Sequence, residues 1–387
     1  MTTTRPAPAV SGARLRATVT TLAEDRFTGR RVGTAGGRAA ATWLAGQLRA
    51  IGATVTTDEF PVPGVRELYR TPQLTWDGRA LVHRRDFVEH LASADLPALR
   101  TGELVRADAE ELGGRWVLAP DLGVSARASR EGAVGLLVPR GTDEAGWMPK
   151  MIAGPPPGDL PVLAVRTELH RQLADASTVS ASVPLRTVDV TGSNVHGVLH
   201  QPAAQGVNVL LTAHFDGVGD DPDQRLPAAA DNASGVAAVL EAARLLAPAM
   251  PDGAGLAVAF PDAEEAGARG SAHHAPAVAP GTVVINLDGA AELGDAAAVE
   301  AGGPAHALLA ALDQAGRETG VPLRAGAMAS DNRRYAAAGL PAAGIGMGMP
   351  GYQTPAETPG RVETGTLVAA TRLVVATVRQ LVAPVTG

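Results

Sequence analysis

Short apolar runs alternate with amphipathic segments in the second half of the chain. The runs predicted to be strands are N-V-L-L-T-A at 208–213, G-L-A-V-A-F at 255–260 and T-V-V-I-N-L-D at 282–288. The segments in which apolar residues recur at helical spacing are 36–51, 235–247, 305–318 and 364–383. Continuous apolar strands between amphipathic helices are typical of a mostly parallel sheet with helices on both faces. We therefore predict an α/β fold, with a short polar lead before residue 36.

The pattern changes between about 70 and 185, where short apolar runs are separated by Gly and Pro. Such a texture favours a small β-rich unit. We predict a discontinuous α/β domain over 1–74 and 186–387, interrupted by an inserted β-rich domain over 75–185.

Composition narrows the class of protein. The chain has 387 residues, a formal net charge of -7 and scattered Lys and Arg residues, which argues against nucleic acid or an anionic membrane as a partner. It has no Cys, so any metal must be held by His, carboxylate or amide groups. The N-terminal residues have no apolar core typical of a signal peptide, and no run approaches the ~18 apolar residues of a membrane span. We expect a cytoplasmic protein.

Ionisable residues cluster where the predicted strands end. Those that follow or close a strand are His214, Asp216, Asp262, Glu264, Glu265 and Asp288, and Asp231 precedes the helix at 235–247. Parallel strands present their carboxyl ends at one edge of a sheet, where ligand sites lie. Each residue alone also fits an ordinary structural role, as Asp231 does at a helix N-cap. Together, one imidazole and several carboxylates indicate a hydrolytic zinc site.

The adjacent pair Glu264 and Glu265 adds chemistry to this site. Neighbouring side chains point in different directions, so one can bind metal while the other acts as a general base. Competing motifs are weaker. The G-I-G-M-G at 344–348 is not followed by a helix, as a dinucleotide loop requires, and is predicted to be a strand and loop. There is no G-x-S-x-G elbow, and Ser234 has no evident base, so a serine hydrolase is disfavoured.

These residues occur in motifs that resemble the zinc aminopeptidases of the bacterial leucyl aminopeptidase type, whose relatives include glutamate carboxypeptidase and glutaminyl cyclase. The motifs are G-R-R-V-G-T-A-G-G-R-A-A at 29–40, A-H-F-D at 213–216, A-A-D-N-A-S-G-V-A at 229–237, E-E-A-G-A-R-G-S at 264–271, N-L-D at 286–288 and S-D at 330–331. The resemblance implies a zinc exopeptidase fold. Residues 75–185, with A-S-R-E-G-A-V-G-L-L-V-P at 128–139, resemble a protease-associated domain inserted in the peptidase.

The resemblance also implies a role for each site residue. His214 and Asp288 would hold a first metal, Asp231 would bridge two metals, and Glu265 would hold the second. Glu264 would be the general base, and Asp216 would orient His214.

One position departs from the family pattern. Where the family has a His in Y-H-T-P-x-D-T-P, this chain reads Y-Q-T-P-A-E-T-P, which places Gln353 at a ligand position and Glu357 at the usual Asp. A second site of Asp231, Glu265 and Gln353 has only oxygen ligands and suits Mg, Mn or Ca better than zinc.

Three metal states or outcomes follow from this departure: a single zinc at His214, Asp231 and Asp288, a mixed pair of metals, or loss of peptidase activity. The leading hypothesis is a metal-dependent hydrolase that cleaves the amide bond of a peptide or small amide. Two alternatives stay open, namely specialised amide, acyl or cyclisation chemistry on a small molecule, and a pseudopeptidase that serves as a binding module.

Overall fold

The computed structural model describes residues 9–173, 176–201 and 206–383. The chain divides into two compact units. Unit 1 comprises Met1–Val62, Thr191–Gly219 and Leu226–Gly387, and unit 2 comprises Pro63–Val190 and Asp220–Arg225. Residues 1–8, on which part of the expected cytoplasmic location rests, lie outside the described residues, and that location stays a prediction.

The helices and strands follow one another along the whole chain. The helices are α1 Gly12–Leu22, α2 Ala35–Ala50, α3 Ser125–Glu131, α4 Thr167–Gln172, α5 Ser234–Leu246, α6 Arg269–His274, α7 His306–Thr319, α8 Asn332–Ala337 and α9 Thr364–Val382. The strands are β1 Thr54–Leu68, β2 Gln73–Trp76, β3 Arg79–Ala80, β4 Phe87–Glu89, β5 Leu96–Arg106, β6 Trp116–Leu118, β7 Gly135–Arg140, β8 Val162–Arg166, β9 Thr178–Val183, β10 Leu185–His200, β11 Asn208–Thr212, β12 Gly255–Phe260, β13 Val283–Leu287, β14 Ala297–Gly302, β15 Leu323–Ala325 and β16 Ala342–Gly346.

Unit 1 is built on a mixed sheet with the strand order β1-β10-β12-β11-β13-β16-β14-β15. Its centre is parallel, because β11 pairs in parallel with β12 and β13, and β13 pairs in parallel with β16. Antiparallel pairs, β10 with β12 and β14 with β16, flank this centre. The predicted α/β fold is confirmed, and the carboxyl ends of the parallel strands meet at one edge.

The predicted elements of unit 1 match the observed ones closely. The predicted helices correspond to α2, α5, α7 and α9, and the predicted strands correspond to β11, β12 and β13. The G-I-G-M-G segment is the end of β16 followed by a loop, as predicted.

The prediction of a polar lead before residue 36 is wrong for α1. Ser11 caps this helix, since its side chain accepts a hydrogen bond from the Arg14 N–H. Only Leu15, Val19 and Leu22 are buried along it. This apolar stripe is narrow because Arg and Thr occupy most other positions of the helix. The stripe is buried in the folded chain because α5 and α9 pack against it.

The core of unit 1 lies where helices cover the sheet. Its side chains include Leu44, Leu48, Phe215, Ile285 and Leu373, each at most 1% exposed. Helix α9 is long and apolar enough to span a membrane by length and composition alone, but 56% of its apolar window is buried. Since α9 packs against α1, α5 and α7, we assign it to the core.

Unit 2 contains a sheet with the order β3-β2-β9-β5-β6-β7-β8-β4. The strands β5 to β8 pair with one another in parallel, whereas β9 is antiparallel to β5 and β4 is antiparallel to β8. The short helix α3 lies between β6 and β7 in the chain, and α4 follows β8. Trp116 is fully buried in its core. The interpretation of 75–185 as a protease-associated domain stays a prediction.

Candidate metal centre and active site

The register of the central strands brings His214 and Asp288 together. Thr212 of β11 pairs with Asn286 of β13, so the residues two positions further on lie side by side beyond the strand ends. His214 Nε2 lies 3.3 Å from Asp288 Oδ1. Two residues 74 positions apart in the sequence are therefore neighbours because parallel strands end at the same edge.

Asp231 reaches the same point from the segment Ala229–Ala233, which leads into α5. The neighbouring Asn232 ties this segment to the end of β13. Its side-chain amide donates to the Leu287 carbonyl at 2.9 Å and accepts from the Gly289 N–H at 3.0 Å, on either side of Asp288. The Asp231–Asn232 peptide bond is cis. Asp231 Oδ1 lies 3.1 Å from His214 Nε2.

His214, Asp231 and Asp288 form the metal-compatible cluster of the described residues. One ligand atom from each lies within 4.8 Å of the others, and all three residues are buried. Within the described part of the chain, no other group of three His, Cys, Asp or Glu residues meets this distance limit.

Asp216 supports both parts of the predicted centre. Its Oδ1 lies 3.4 Å from His214 Nδ1, on the side of the ring opposite to Asp231 and Asp288. The same carboxylate accepts hydrogen bonds from the main-chain N–H groups of Glu264 and Glu265 at 3.0 and 3.2 Å. A carboxylate behind a ligating imidazole fixes its tautomer and orientation.

Glu265 and Gln353 contact each other, so the departure from the family pattern lies inside the site. The Gln353 side-chain amide donates a short hydrogen bond to the Glu265 carboxylate. Glu357 positions this loop because its carboxylate accepts from the Gln353 N–H at 2.7 Å and from the Asp231 N–H at 2.6 Å.

Several buried carboxyl groups lie close together at this edge of the sheet, and burial and mutual repulsion change their pKa values. Burial raises the pKa of Glu264 and of Glu265 well above the ordinary value, and the neighbouring carboxylates raise both further. For His214, burial opposes protonation, but the carboxylates of Asp288, Asp216 and Asp231 raise its pKa well above the usual range. Burial opposes ionisation of Asp288, and His214 nevertheless lowers the pKa of that carboxyl group. Such a cluster of carboxylates is energetically costly unless cations offset it.

The donor atoms fit a divalent cation. Buried polar atoms at the site that have no hydrogen-bond partner among the described residues include Asp231 Oδ1, Glu265 Oε1 and Gln353 Oε1. Buried polar atoms are normally paired, so these atoms are suited to coordinate an ion. Imidazole with carboxylate is the ligand chemistry of zinc, and the additional amide oxygen is compatible with harder ions.

Asp331 is a site residue to which the sequence assigned no role. It is fully buried, and burial raises the pKa of its carboxyl group to about 7. Its charge acts on Glu264. The only sequence signal for it was the S-D motif at 330–331, because a loop before a short helix has no strand end to mark it.

The adjacent histidines of α6, His273 and His274, differ in their surroundings. The His273 side chain is 44% exposed. His274 Nδ1 lies 3.0 Å from the hydroxyl of the buried Tyr335. Burial lowers the pKa of His274 to about 4. Adjacent residues on a helix point about 100° apart, so one faces solvent and the other faces α8.

Known proteins resemble this chain in sequence and in fold. Residues 194–378, which contain every predicted site residue, match the model of peptidase family M28. No curated protein matches the sequence.

Solved structures show the same fold over nearly the whole chain. BSAP, a zinc aminopeptidase from Bacillus subtilis, is 21% identical, with a TM-score of 0.75 and coverage of 97% of this chain and 95% of that one. An aminopeptidase from Aneurinibacillus sp. strain AM-1 is 19% identical, with a TM-score of 0.71 and the same coverage. A glutaminyl cyclase from Bacteroides thetaiotaomicron is 16% identical, with a TM-score of 0.50 and coverage of 97% and 99%. The chain therefore has the fold of the zinc exopeptidases.

Proposed function

We propose that this chain is a member of peptidase family M28 and a metal-dependent hydrolase of the aminopeptidase type, which cleaves an amide bond. The observation that carries the proposal is the buried cluster of His214, Asp231 and Asp288 with the half-buried Glu264 nearby. The aminopeptidase part rests on the fold shared with two solved aminopeptidases.

In this proposal His214 Nε2, Asp231 and Asp288 hold the principal ion, which we take to be zinc. A bound divalent cation supplies a Lewis acid that polarises the amide carbonyl and makes water acidic enough to attack at neutral pH. Glu264 takes the proton of the attacking water and returns it to the amine that leaves. Burial raises the pKa of its carboxyl group well above the ordinary value, which strengthens it as a base toward the attacking water.

Asp216 positions the general base as well as the histidine. Because it accepts from the N–H groups of Glu264 and Glu265, it holds the turn on which both side chains stand. The base and the metal ligands are thus tied to one carboxylate.

We further propose that the second ion is bound weakly or not at all. The Gln353 amide already donates to the Glu265 carboxylate. Glu265 is also not part of the cluster of His214, Asp231 and Asp288, whose ligand atoms lie within 4.8 Å of one another. A neutral amide oxygen is also a weaker zinc ligand than an imidazole. Of the three metal states, a single zinc at His214, Asp231 and Asp288 has the most support.

The test is the metal content of protein purified without chelators, together with hydrolysis of a panel of aminoacyl p-nitroanilides. The assays include added Zn, Mn, Mg or Ca. We expect about one tightly held zinc per chain and cleavage that a chelator abolishes. Protein that retains no metal and cleaves no member of the panel would overturn the proposal and favour the pseudopeptidase.

The cyclisation alternative keeps a separate test, because the glutaminyl cyclase has the same fold. Incubation of the zinc-loaded chain with peptides that begin with glutamine, followed by mass spectrometry, separates the reactions. Loss of ammonia with an intact peptide bond indicates cyclisation, and a shortened peptide indicates hydrolysis.

A further inference from the structure

The G-R-R-V-G-T-A-G-G-R-A-A motif at 29–40 belongs to the family resemblance, but none of its residues enters the proposed chemistry. Its first residues lie in a strained turn. Thr28, Gly29 and Arg30 have φ angles of 46°, 68° and 54°, in the left-handed region. Side chains other than glycine rarely adopt this conformation, and strain of this kind persists only where the surrounding structure enforces it.

The start of α2 holds this turn in place. A Cβ at Gly36 would lie 2.0 Å from the carbonyl oxygen of Phe27, and one at Gly37 would lie 2.6 Å from that of Arg31. Only glycine allows so close an approach. Thr34 completes the arrangement, since its hydroxyl donates to the Arg31 carbonyl at 2.7 Å and accepts from the Gly37 N–H at 3.1 Å.

The turn directs the Arg30 side chain into the interior of unit 1, where it is fully buried. The guanidinium donates to four main-chain carbonyls. These are Phe215 at 2.7 Å, Leu22 at 2.7 Å, Pro227 at 3.0 Å and Ala228 at 2.6 Å. Arginine has five N–H donors in a rigid plane, so one side chain can hold several carbonyls at once.

The positions of these carbonyls in the sequence explain their importance. Phe215 lies between His214 and Asp216, and Ala228 lies three residues before Asp231. The turn also contacts the first segment directly, because the Gly219 N–H donates to the Gly29 carbonyl at 3.2 Å.

We infer that Arg30 is a positioning residue, which holds the backbone of both segments so that His214 and Asp231 meet at the metal. This inference rests on the proposed metal site. The guanidinium also places a fixed positive charge among buried carboxylates, and its strongest electrostatic interaction with them is with Glu357. Gly36 and Gly37 let the start of α2 pack closely against the turn, and this packing stabilises the turn that directs Arg30 into the interior.

The test compares Arg30→Lys with the wild type and with Arg66→Lys. Lysine keeps the charge but has a single nitrogen, which cannot reach carbonyls on different segments. Arg66 is a matched control, because it is a buried arginine of unit 2 that donates to the Ser93 carbonyl and the Thr187 hydroxyl, neither of which belongs to a segment that carries a metal residue. Zinc affinity is measured by competition with a chromophoric chelator, and folding by circular dichroism.

We expect Arg30→Lys to weaken zinc binding by about 10- to 100-fold, the range typical of residues that support metal ligands. Arg66→Lys should lower the melting temperature and leave zinc affinity within about twofold of the wild type. Equal zinc affinity of the wild type and folded Arg30→Lys would overturn the inference.

A milder pair of variants decides the question if Arg30→Lys does not fold. Thr34→Ala removes the N-cap that fastens the strained turn, whereas Ser11→Ala removes the N-cap of α1. Both should lower the melting temperature to a similar extent, because each removes one N-cap hydrogen bond. Only Thr34→Ala should weaken zinc binding, by severalfold, and equal affinities of the two variants would refute the role of the turn.

The readout separates this inference from the proposed function. A wild type that binds zinc but cleaves no amide overturns the proposed function alone. A wild type that binds no zinc overturns both. Zinc binding that is indifferent to residues 30 and 34 overturns only the role of Arg30.

Discussion

Asp216 Oδ1 accepts a hydrogen bond of 3.0 Å from the main-chain N–H of Glu264, the proposed general base. The same oxygen lies 3.4 Å from His214 Nδ1. One buried carboxylate therefore sets the distance between the proposed base and the proposed metal ligand, although the three residues come from two different strand ends.

Replacement of Asp216 by Asn should disturb both connections. Asn offers one oxygen acceptor, and its NH₂ group would face an N–H donor of the turn. We expect zinc affinity to fall by about 10- to 100-fold, with a further loss in kcat, as for other carboxylates behind ligating imidazoles. Chelator competition and steady-state kinetics measure the two effects. Unchanged values of both would show that Asp216 has no supporting role.

Replacement of Glu264 by Gln should separate metal binding from turnover. Gln is nearly isosteric but cannot accept a proton, so kcat should fall by about 10²- to 10⁴-fold or more. Because Glu264 is not a proposed ligand, the zinc content should stay at the wild-type value. Substantial remaining activity, measured on the best p-nitroanilide substrate, would exclude Glu264 as the base.

Replacement of Gln353 by His should create a stronger second metal site. An imidazole supplies a nitrogen donor and removes the amide that donates to Glu265. The backbone permits the change, because Gln353 has a φ of 53° and histidine is among the residues that tolerate this region. We expect the zinc content to rise from about one to about two ions per chain. Gln353→Asn serves as the control, and a content unchanged in both variants would contradict the assignment of position 353.

The stability of the metal-free protein should decrease as the pH rises from about 5 to about 8. The pKa of Asp331 is raised to about 7 in the folded chain, whereas an unfolded Asp titrates near 3.9. Between these values the folded chain binds more protons than the unfolded chain, so the free energy of unfolding falls with increasing pH. Glu264, Glu265 and Glu357, whose pKa values burial also raises, act in the same direction.

The measurement is the melting temperature of chelator-treated protein over this pH range. Asp331→Asn should reduce the slope, because it removes one group that takes up a proton on folding. Added zinc should raise the melting temperature most at high pH, where its carboxylate ligands are ionised. A melting temperature that is constant or rises from pH 5 to pH 8 would contradict the charge distribution described for this site.

Local patterns were sufficient to locate most elements of unit 1. Strand β11 and helix α5 are visible in the sequence because apolar runs and helical spacing are local properties. Helix α1 was missed because its three buried residues make a stripe too narrow to distinguish from a polar segment. The contact of His274 with Tyr335 is not visible in the sequence, because the two residues lie 61 positions apart.

By itself, the sequence determined the α/β fold and the set of residues available for the metal site. Strand ends are marked by local pattern, and parallel strands bring their carboxyl ends to one edge. Only the tertiary structure decided how these residues are held. The contact of Gln353 with Glu265, the double role of Asp216 and the bonds of Arg30 all join segments far apart in the chain. No local pattern encodes such contacts, because they depend on packing that forms only when the distant segments meet.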